Sequence, residues 1–519
     1  MKLTESMELA GRNLLHSLKP TEDYLPYWSV LIDENNRGRC RMKYASHNVG
    51  RWWDAMLRLE AATGFVIPAE IEAAMLRNLA ACFDNPLAVC GFLAPLGDEP
   101  AGWIDGHTQR ESLLALAGLG RRRGSRWAAE QGARTIRALD GFIRDDGAWD
   151  GPKMAQIARK GGIDVDPSGP GRHVLEGVRL TETHGRMIEG LLEFHLASGD
   201  EAAISLADRL ARLHMEISTR PDGTAPESEY IHTHSLFCTY RGLLMYGRLT
   251  RQREYVDRVY ATYMATIRKH LKPSGFISHD WGTEKSGETT SPGDAAQLAL
   301  GLARCGHVEL LDDAERIVRN RLMASQVTGP TGIVPDADDG TDKCRDLENR
   351  VIGAFGGDQR HPHGDGLPTT DITAAGLHTL CDVYNHITEV TPLGILVNFH
   401  FDYEDANVRI ETSRDDEVGQ MTLRPGNTRP LLVRMPAWAP ADSVRVTVNG
   451  ESMHASWVGP FLHVPVRKPG VSIQVRHALP TMTTVEPTDG VDYHLVWRGD
   501  EVVGIRPNTD RRPFYPSAP

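Results

Sequence analysis

Apolar residues recur every three or four positions along most of the first 390 residues. That spacing marks helices that bury one face. It predicts twelve helices, near 3–17, 50–63, 69–83, 108–121, 125–144, 184–198, 201–219, 233–249, 253–271, 292–304, 309–326 and 371–388. After about residue 390 the period drops to two. "GILVNFHFDYEDANVRIETS", "GQMTLRPGN", "RPLLVRMPAWA", "SVRVTVNGESM", "FLHVPVRKPG" and "VSIQVRHALP" are short, β-branched and broken by Gly, Pro and Asn. This is the pattern of antiparallel strands in a sandwich. Asn449-Gly450 in "VNGE" predicts a tight hairpin turn. The last stretch, "NTDRRPFYPSAP", reads as an irregular tail.

The connections between helices alternate in length. "HLASGDEAAISLA", "GLGRRRGSRWAAE", "YGRLTRQREYVDR" and "RCGHVELLDDAER" turn within a few residues and read as helix hairpins. A longer loop follows each one. Twelve helices in six hairpins, alternately inner and outer, predict an (α/α)6 toroid over residues 1–390. An antiparallel β-sandwich over 391–519 completes a mainly α fold with a β domain. A chain of 519 residues is too long for one ordinary core, which agrees with two domains.

Candidate chemistry gathers where the longer loops enter the presumed inner helices. The six entrances are "YASHNVGRWWD" (44–54), "GWIDGHTQRES" (102–112), "RLTETHGRMIE" (179–189), "EYIHTHSLFCTY" (229–240), "SGETTSPGDAA" (286–296) and "LPTTDITAAGLH" (367–378). Ser, Thr and Asp there serve as N-caps. Capping does not need histidine, yet His47, His107, His184, His232 and His234 occupy four of the six. In a toroid all inner helices start at one end, so the entrances converge on a single cup ringed by positive helix termini. Trp53, Trp103, Tyr230 and Trp281 add aromatic faces, which with fixed polar groups suit sugar rings. Trp52 and Trp53 read equally well as core.

Glycosidic chemistry needs two carboxyl groups across the bond, or one carboxyl and another nucleophile. The cup offers Asp105, Glu182, Glu229, Asp280, Glu284, Glu288 and Asp371. The loop "HDWGTEKSGETTSPGD" (279–294) supplies one side of it. Asp294, inside the following helix, reads as a partner of the helix dipole.

Composition narrows the field. A net charge of −12 and a pI of about 6.0 disfavour nucleic acid as a partner. No run of about 18 apolar residues predicts a membrane span. The N-terminus has no charged-then-apolar signal pattern, so a cytoplasmic protein is expected. Seven scattered cysteines without a C-x-x-C read as reduced core thiols, not as a zinc site. No P-loop or G-x-G-x-x-G is present for phosphate. "GPTGIVPDADDG" (329–340) is acidic but lacks EF-hand spacing and reads as a solvated loop.

Four segments carry a family resemblance. "HGRMIEGLLEFHLASGDEAAISLADRLARL" (184–213) resembles the Gly-His-Leu-Ile-Glu-Gly helix of the β-L-arabinofuranosidases of glycoside hydrolase family 127. "SGETTSPGDAAQLALGLARCGHVELLDDAERIVRNRLMAS" (286–325) is similar to that family's Glu-Thr-Cys helix and the helix after it. "TDITAAGLHTLCDVYNHITEVTPLGILVNFHFDYEDA" (370–406) is similar to its Cys-Cys helix and first strand, and "LLVRMPAWAPADSVRVTVNGE" (431–451) to its sandwich strands. The resemblance covers residues 180–519; the first third is similar only in architecture. It implies an (α/α)6 barrel followed by a β-sandwich.

The family's zinc ion is held by one Glu and three Cys, one of them the nucleophile. Glu288 matches the glutamate, but Thr290 stands at the first cysteine and Asp371-Ile372 at the cysteine pair. Those types cannot rebuild a thiolate-rich site, so neither metal nor cofactor is expected. Glu288 and Asp371 remain as a carboxylate pair, with Asp371 at the nucleophile's place. Asp280 is the expected general acid; apolar or like-charged neighbours should raise the pKa of whichever carboxyl donates. His47, Trp103, Asp105, His107, His184, Arg186, Glu229, His232, His234 and Trp281 are expected to bind substrate. Arg186 replaces a family histidine and points to an acidic sugar.

The expectation is a glycoside hydrolase-like enzyme that removes a terminal sugar, arabinofuranosyl-like or acidic, from a small glycoside or oligosaccharide. Two alternatives stay open. One is a lyase using His234, Tyr240 and Arg241, or a sugar isomerase, on the same toroid. The other is a sugar-binding protein without catalysis. The sandwich edges also leave a homo-oligomer open.

Overall fold

A helix with one apolar stripe needs cover on one side only; one that is apolar nearly all round must be enclosed. Both kinds alternate along this chain. The structure is a computed structural model that describes residues 2–85, 87–91, 106–153, 156, 183–225, 232–336, 341–357, 359, 361–364, 366–509 and 511–518. Its enclosed helices are α2 (Ala45–Thr63), α4 (Gly106–Arg123), α6 (Met187–Ser198), α8 (Thr233–Thr250), α10 (Thr290–Ala303) and α12 (Thr370–Tyr384). Each packs on the next, and α12 closes on α2. Around them lie α1 (Leu3–His16), α3 (Ala69–Cys82), α5 (Arg126–Phe142), α7 (Glu201–Ile217), α9 (Arg253–Thr262) and α11 (Leu311–Ile317). The last two run on through π-helical turns at Tyr263–Ile267 and Val318–Met323. The result is the expected (α/α)6 toroid.

Local chemistry explains the alternation. Helix α7 buries Ala203, Leu206, Ala207, Leu210, Ala211 and His214, a single stripe. Helix α10 buries nearly every residue. The short links are built from matched caps. Gly199 (φ 74°) ends α6 in the left-handed region, and Asp200 accepts from the Ala202 amide at 2.8 Å to start α7. Glycine also sets the spacing of the inner ring. A Cβ at Gly50 would lie 2.7 Å from the backbone carbon of Glu111, so α2 and α4 touch there backbone to backbone.

Beyond Tyr384 the chain forms two packed sheets. One has the order 403–404, 408–414, 418–425, 473–478, 445–448, 451–453; the other runs 456–458, 461–464, 431–434, 394–397, 388–391. The pairing is antiparallel except between Gly394–Val397 and Leu431–Arg434, which run parallel. Val408, Ile410, Met421, Leu423, Ile473 and Val475 on the first sheet and Ile395, Val397, Leu431, Val433, Leu462 and Val464 on the second are buried, the alternation that the period of two predicted. Asn449 and Gly450 both have positive φ, 51° and 87°, in the hairpin turn between Arg445–Val448 and Glu451–Met453.

Residues 481–506 form a further three-stranded meander outside both sheets, which the alternating pattern did not single out. Its first strand is mostly exposed, so it carries little apolar signal. Polar contacts dock it on the helices. Glu486 accepts from the amide and hydroxyl of Ser274 at 2.9 and 2.8 Å, and Asn320 bonds both Asp500 and Val502. The tail beyond it is not loose: Tyr515 is buried and its hydroxyl donates to the Asn320 carbonyl.

One buried arginine ties the sandwich to the ring. Arg434 donates to the carboxylates of Asp312 and Glu315 on α11. Removing one partner leaves buried charge uncompensated, which costs about 3–5 kcal/mol. Arg434→Met should therefore lower unfolding free energy in urea by that amount; a loss under about 1 kcal/mol would contradict the assignment.

Several histidines are buried as neutral groups. Burial pushes His214 and His400 down to about 3. Below the ordinary histidine range the unfolded chain takes up protons that the folded chain refuses. Stability must then fall with pH from about 6.5 downward, by up to about 1.4 kcal/mol per pH unit for each such group. His378, raised by Asp54 and Asp382 against burial, opposes the trend alone among the shifted histidines of the described residues. The denaturation midpoint should be lower at pH 5 than at pH 7; an equal or higher midpoint at pH 5 would refute the account.

Candidate active site

The inner helices begin at one end of the ring, and polar side chains of their first turns fill its lumen. Helix α2 contributes His47 and, one turn on, Arg51; α12 contributes Asp371 in its first turn. Asp371 Oδ1 lies 2.7 Å from His47 Nε2 and accepts from Arg51 Nε at 2.8 Å. Arg51 Nη2 also reaches His234 Nε2 on α8 at 2.6 Å and His107 Nε2 on α4 at 3.5 Å. From the 3-10 turn before α6, Arg186 donates to the same His234 nitrogen at 2.7 Å and to Ser235 Oγ at 3.0 Å. Two guanidiniums on one ring nitrogen make it the acceptor. His234 must then carry its proton on Nδ1, which bonds the Asp294 carboxylate of α10.

An ionic layer lies beneath. Arg110 pairs with Glu111 and, at 2.7 Å, with Glu189; Arg241 bridges Glu189 at 2.5 Å and Asp294 at 2.8 Å. Arg51 stands 3.5 Å and Arg186 3.9 Å from Glu111. Four guanidiniums thus face the four carboxylates of Glu111, Glu189, Asp294 and Asp371.

A fifth carboxylate, Glu288, has only imidazoles and hydroxyls around it among the described residues. Thr290 donates to it and Ser291 lies 3.4 Å away. His232 Nε2 stands 3.3 Å from one oxygen and His279 Nε2 3.7 Å from the other. Backbone bonds fix this corner. The Thr233 amide donates to the His279 carbonyl at 2.9 Å, and the Gly287 and Gln359 backbones bond each other at 2.8 and 3.1 Å. The imidazoles form a chain across the cup, with centroid separations of 3.6 Å (His47–His107), 6.2 Å (His107–His234), 5.8 Å (His234–His232) and 4.5 Å (His232–His279).

Electrostatics follow from these contacts. Burial alone would raise Asp371, but Arg51 and His47 outweigh it and hold the carboxyl well below its ordinary range. Burial is likewise outweighed at Glu288, where His232 and His279 hold it down. Both carboxyls are ionised at neutral pH, so neither is the raised-pKa acid anticipated from the sequence. Burial, then the nearby Arg186, pushes His107 and His234 well below the usual histidine value. Both are neutral, and both ring nitrogens of His234 are engaged, one by the two guanidiniums and the other by Asp294.

His47, His107, Arg186, His232, His234, Glu288 and Asp371 are brought together. Asp280 stands beside them, its Oδ1 2.6 Å from His279 Nδ1 and its side chain 33% exposed. Other expected residues go elsewhere. His184 reaches the outer helix α7, its Nδ1 2.9 Å from His214 Nε2, because its entrance is a 3-10 turn that aims the ring outward. Trp281 packs on Phe237 and His270. Glu284 pairs with Lys272 and accepts from the Asp489 amide of the C-terminal meander. Trp53 is wholly buried, its indole N–H donating to the Met75 carbonyl. Trp103, Asp105, Glu182, Glu229 and Tyr230 lie outside the described residues.

Arg51, Glu111, Glu189, His279 and Asp294 join the cluster without having been singled out for it. A signal existed for four of them: each is charged inside a helix otherwise enclosed by apolar neighbours, and Arg51 and Glu111 follow His47 and His107 by four residues. Asp294 is no dipole partner; it is 3% exposed and bonds His234 and Arg241.

The positions at which the resemblance would place thiolates do not fit the family's zinc site. The Thr290 hydroxyl is turned onto Glu288, Asp371 already takes a guanidinium and an imidazole, and Ile372 is apolar and buried. A separate cavity of about 600 Å³ lies where the inner helices end, lined among others by Arg58, Arg241, Arg248, Arg304 and His378. Most of its charges pair with one another: Arg58 and His378 hold Asp54 and Asp382, and Arg241 holds Glu189. The candidate carboxylates Glu288 and Asp371 are at the other end. Among the described residues no helix is long and apolar enough to cross a membrane.

No known family profile matches the sequence, and no curated protein does. Solved structures do match in fold. A family 127 β-arabinofuranosidase superposes with a TM-score of 0.62 at 13% identity, over 96% of this chain and 80% of that one. A family 127 β-L-arabinofuranosidase from Geobacillus stearothermophilus T6 gives 0.57 at 11% identity, over 88% and 76%. A structure described as a glycoside hydrolase gives 0.55 at 13%, over 88% and 77%. The chain resembles family 127 in its (α/α)6 toroid and β-sandwich, without the family's zinc-binding cysteines.

Proposed function

We propose that this chain is a glycoside hydrolase-like enzyme that releases a terminal sugar from a small glycoside or oligosaccharide. The observation that carries the reading is the meeting, in one cup, of Glu288 and Asp371 from distant parts of the chain, joined by His232, His234 and Arg51. Both carboxylates are ionised, which suits a nucleophile or a stabiliser of an oxocarbenium-like transition state. Arg51 and His47 clamp Asp371 in place, so little reorganisation is needed as charge develops. Neutral His107 binds a hydroxyl, His234 holds Arg51 and Arg186 in place, and the charge of those two guanidiniums favours a sugar carrying a carboxylate. The proton for the leaving oxygen comes from neither buried carboxylate. Asp280, at the rim and partly exposed, is the donor.

The lyase alternative loses its tyrosine. The Tyr240 hydroxyl donates to the Ser218 carbonyl at 2.8 Å, and burial pushes its pKa up. Arg241 is held by Glu189 and Asp294.

Asp371→Asn keeps an acceptor for Arg51 and should keep the fold by circular dichroism. Turnover of a susceptible aryl glycoside should fall on the order of 10³-fold or more; activity within tenfold of the parent would remove Asp371 from the mechanism. Asp280→Asn should slow cleavage of a glycoside with a poor leaving group far more than that of an activated aryl glycoside, because only the former needs the donated proton. Equal losses on both substrates would place the donor elsewhere.

A further inference from the structure

We propose that His232, His279 and Glu288 form a binding site for one divalent transition-metal ion of the zinc class. It shares the cup with the hydrolase reading and does not depend on it. The ligand set is two imidazoles and a carboxylate, an arrangement that leaves a fourth position open. Their ligand atoms lie within 4.8 Å of one another. Metal–ligand bonds of about 2.0–2.1 Å at tetrahedral angles put neighbouring ligand atoms about 3.3 Å apart. His232 Nε2 and Glu288 Oε1 are 3.3 Å apart, and His279 Nε2 and Glu288 Oε2 3.7 Å. His232 Nε2 is buried and at 3.3 Å stands farther from Glu288 than a short charge-assisted bond would place it. A ring nitrogen and a carboxylate oxygen at this separation have the spacing of two ligands on one ion.

The outer contacts agree. Metal-bound imidazoles turn their second nitrogen to a carboxylate or another acceptor, which fixes the ring. His279 Nδ1 lies 2.6 Å from Asp280 Oδ1, and His232 Nδ1 3.0 Å from Ser235 Oγ. Thr290 and Ser291 steady Glu288. Asp280 would then orient His279 through Oδ1. Two neighbouring clusters have similar spacing and are poorer hosts. In His47–His107–Asp371 the carboxylate already holds Arg51. In His234–Cys238–Asp294 the carboxylate holds Arg241, and two guanidiniums occupy the ring nitrogen. Glu288 alone among these carboxylates has no arginine or lysine partner among the described residues, so a cation there meets no fixed positive charge from them.

Cobalt(II) titration of the metal-stripped full chain, followed by visible absorption and checked by elemental analysis, tests this. One equivalent should bind without the intense near-ultraviolet band of a thiolate–cobalt bond. His232→Ala and His279→Ala should each weaken binding about 100-fold or more, and Asp280→Asn, the milder change, about 10–100-fold. Cys238→Ser should bind as the parent does. No binding at micromolar cobalt or zinc, unchanged affinity in His279→Ala and Asp280→Asn, or loss in Cys238→Ser would each overturn the proposal. A chain that binds one ion and cleaves no glycoside keeps this site and removes the reading above; a chain that cleaves a glycoside and binds no ion does the reverse.

Discussion

The interaction on which the rest depends is the charged network in the lumen of the ring. Six helices cannot close around a common axis with bare apolar faces unless something fills the middle. Here Arg51, Arg110, Arg186 and Arg241 fill it together with Glu111, Glu189, Asp294 and Asp371. These pairs join α2 to α4 and α12, α4 to α6, α6 to α8, and α8 to α10. Desolvation makes such pairs poor sources of net stability. Their effect is geometric: each guanidinium has one place to go, so the relative rotation of neighbouring helices is set. Backbone contacts such as Gly50 against Glu111 hold the spacing at which those pairs are made.

The cup inherits its properties from that network. Asp371 is ionised because it belongs to it, and His234 has one tautomer because two arginines share its Nε2. Glu288 is the carboxylate the network leaves out. It depends on the loop 279–288, which the C-terminal meander braces through Glu284 and Lys272. The sandwich is fastened separately, through Arg434 and α11. Each outer layer therefore supports a particular part of the ring rather than acting as a detached module.

Much of this was legible in the residues. Period, caps and loop lengths revealed all twelve ring helices, because an amphipathic stripe and a Gly–Asp link are local features. The clustering of histidines at helix starts revealed the cup for a related reason: capping alone does not select imidazole. What stayed hidden depended on partners far along the chain. Arg51 and Asp294 look like ordinary helix charges until α8 and α12 are set beside them. His184 looks like its neighbours until the 3-10 turn aims it at His214. The meander at 481–506 was missed because its exposed first strand carries no apolar alternation, and the depressed state of both carboxyls could not be foreseen without the arginine and imidazoles around them.

The central claim is that ligands meet this chain at the end of the ring where the inner helices begin, between Glu288 and Asp371. A crystal structure of the chain soaked with a glycoside tests it most directly. The account predicts a sugar ring lying between those two carboxylates, with a hydroxyl on His107. A sugar seated instead in the cavity lined by Arg58, Arg248 and Arg304, with the histidine end empty, would contradict it.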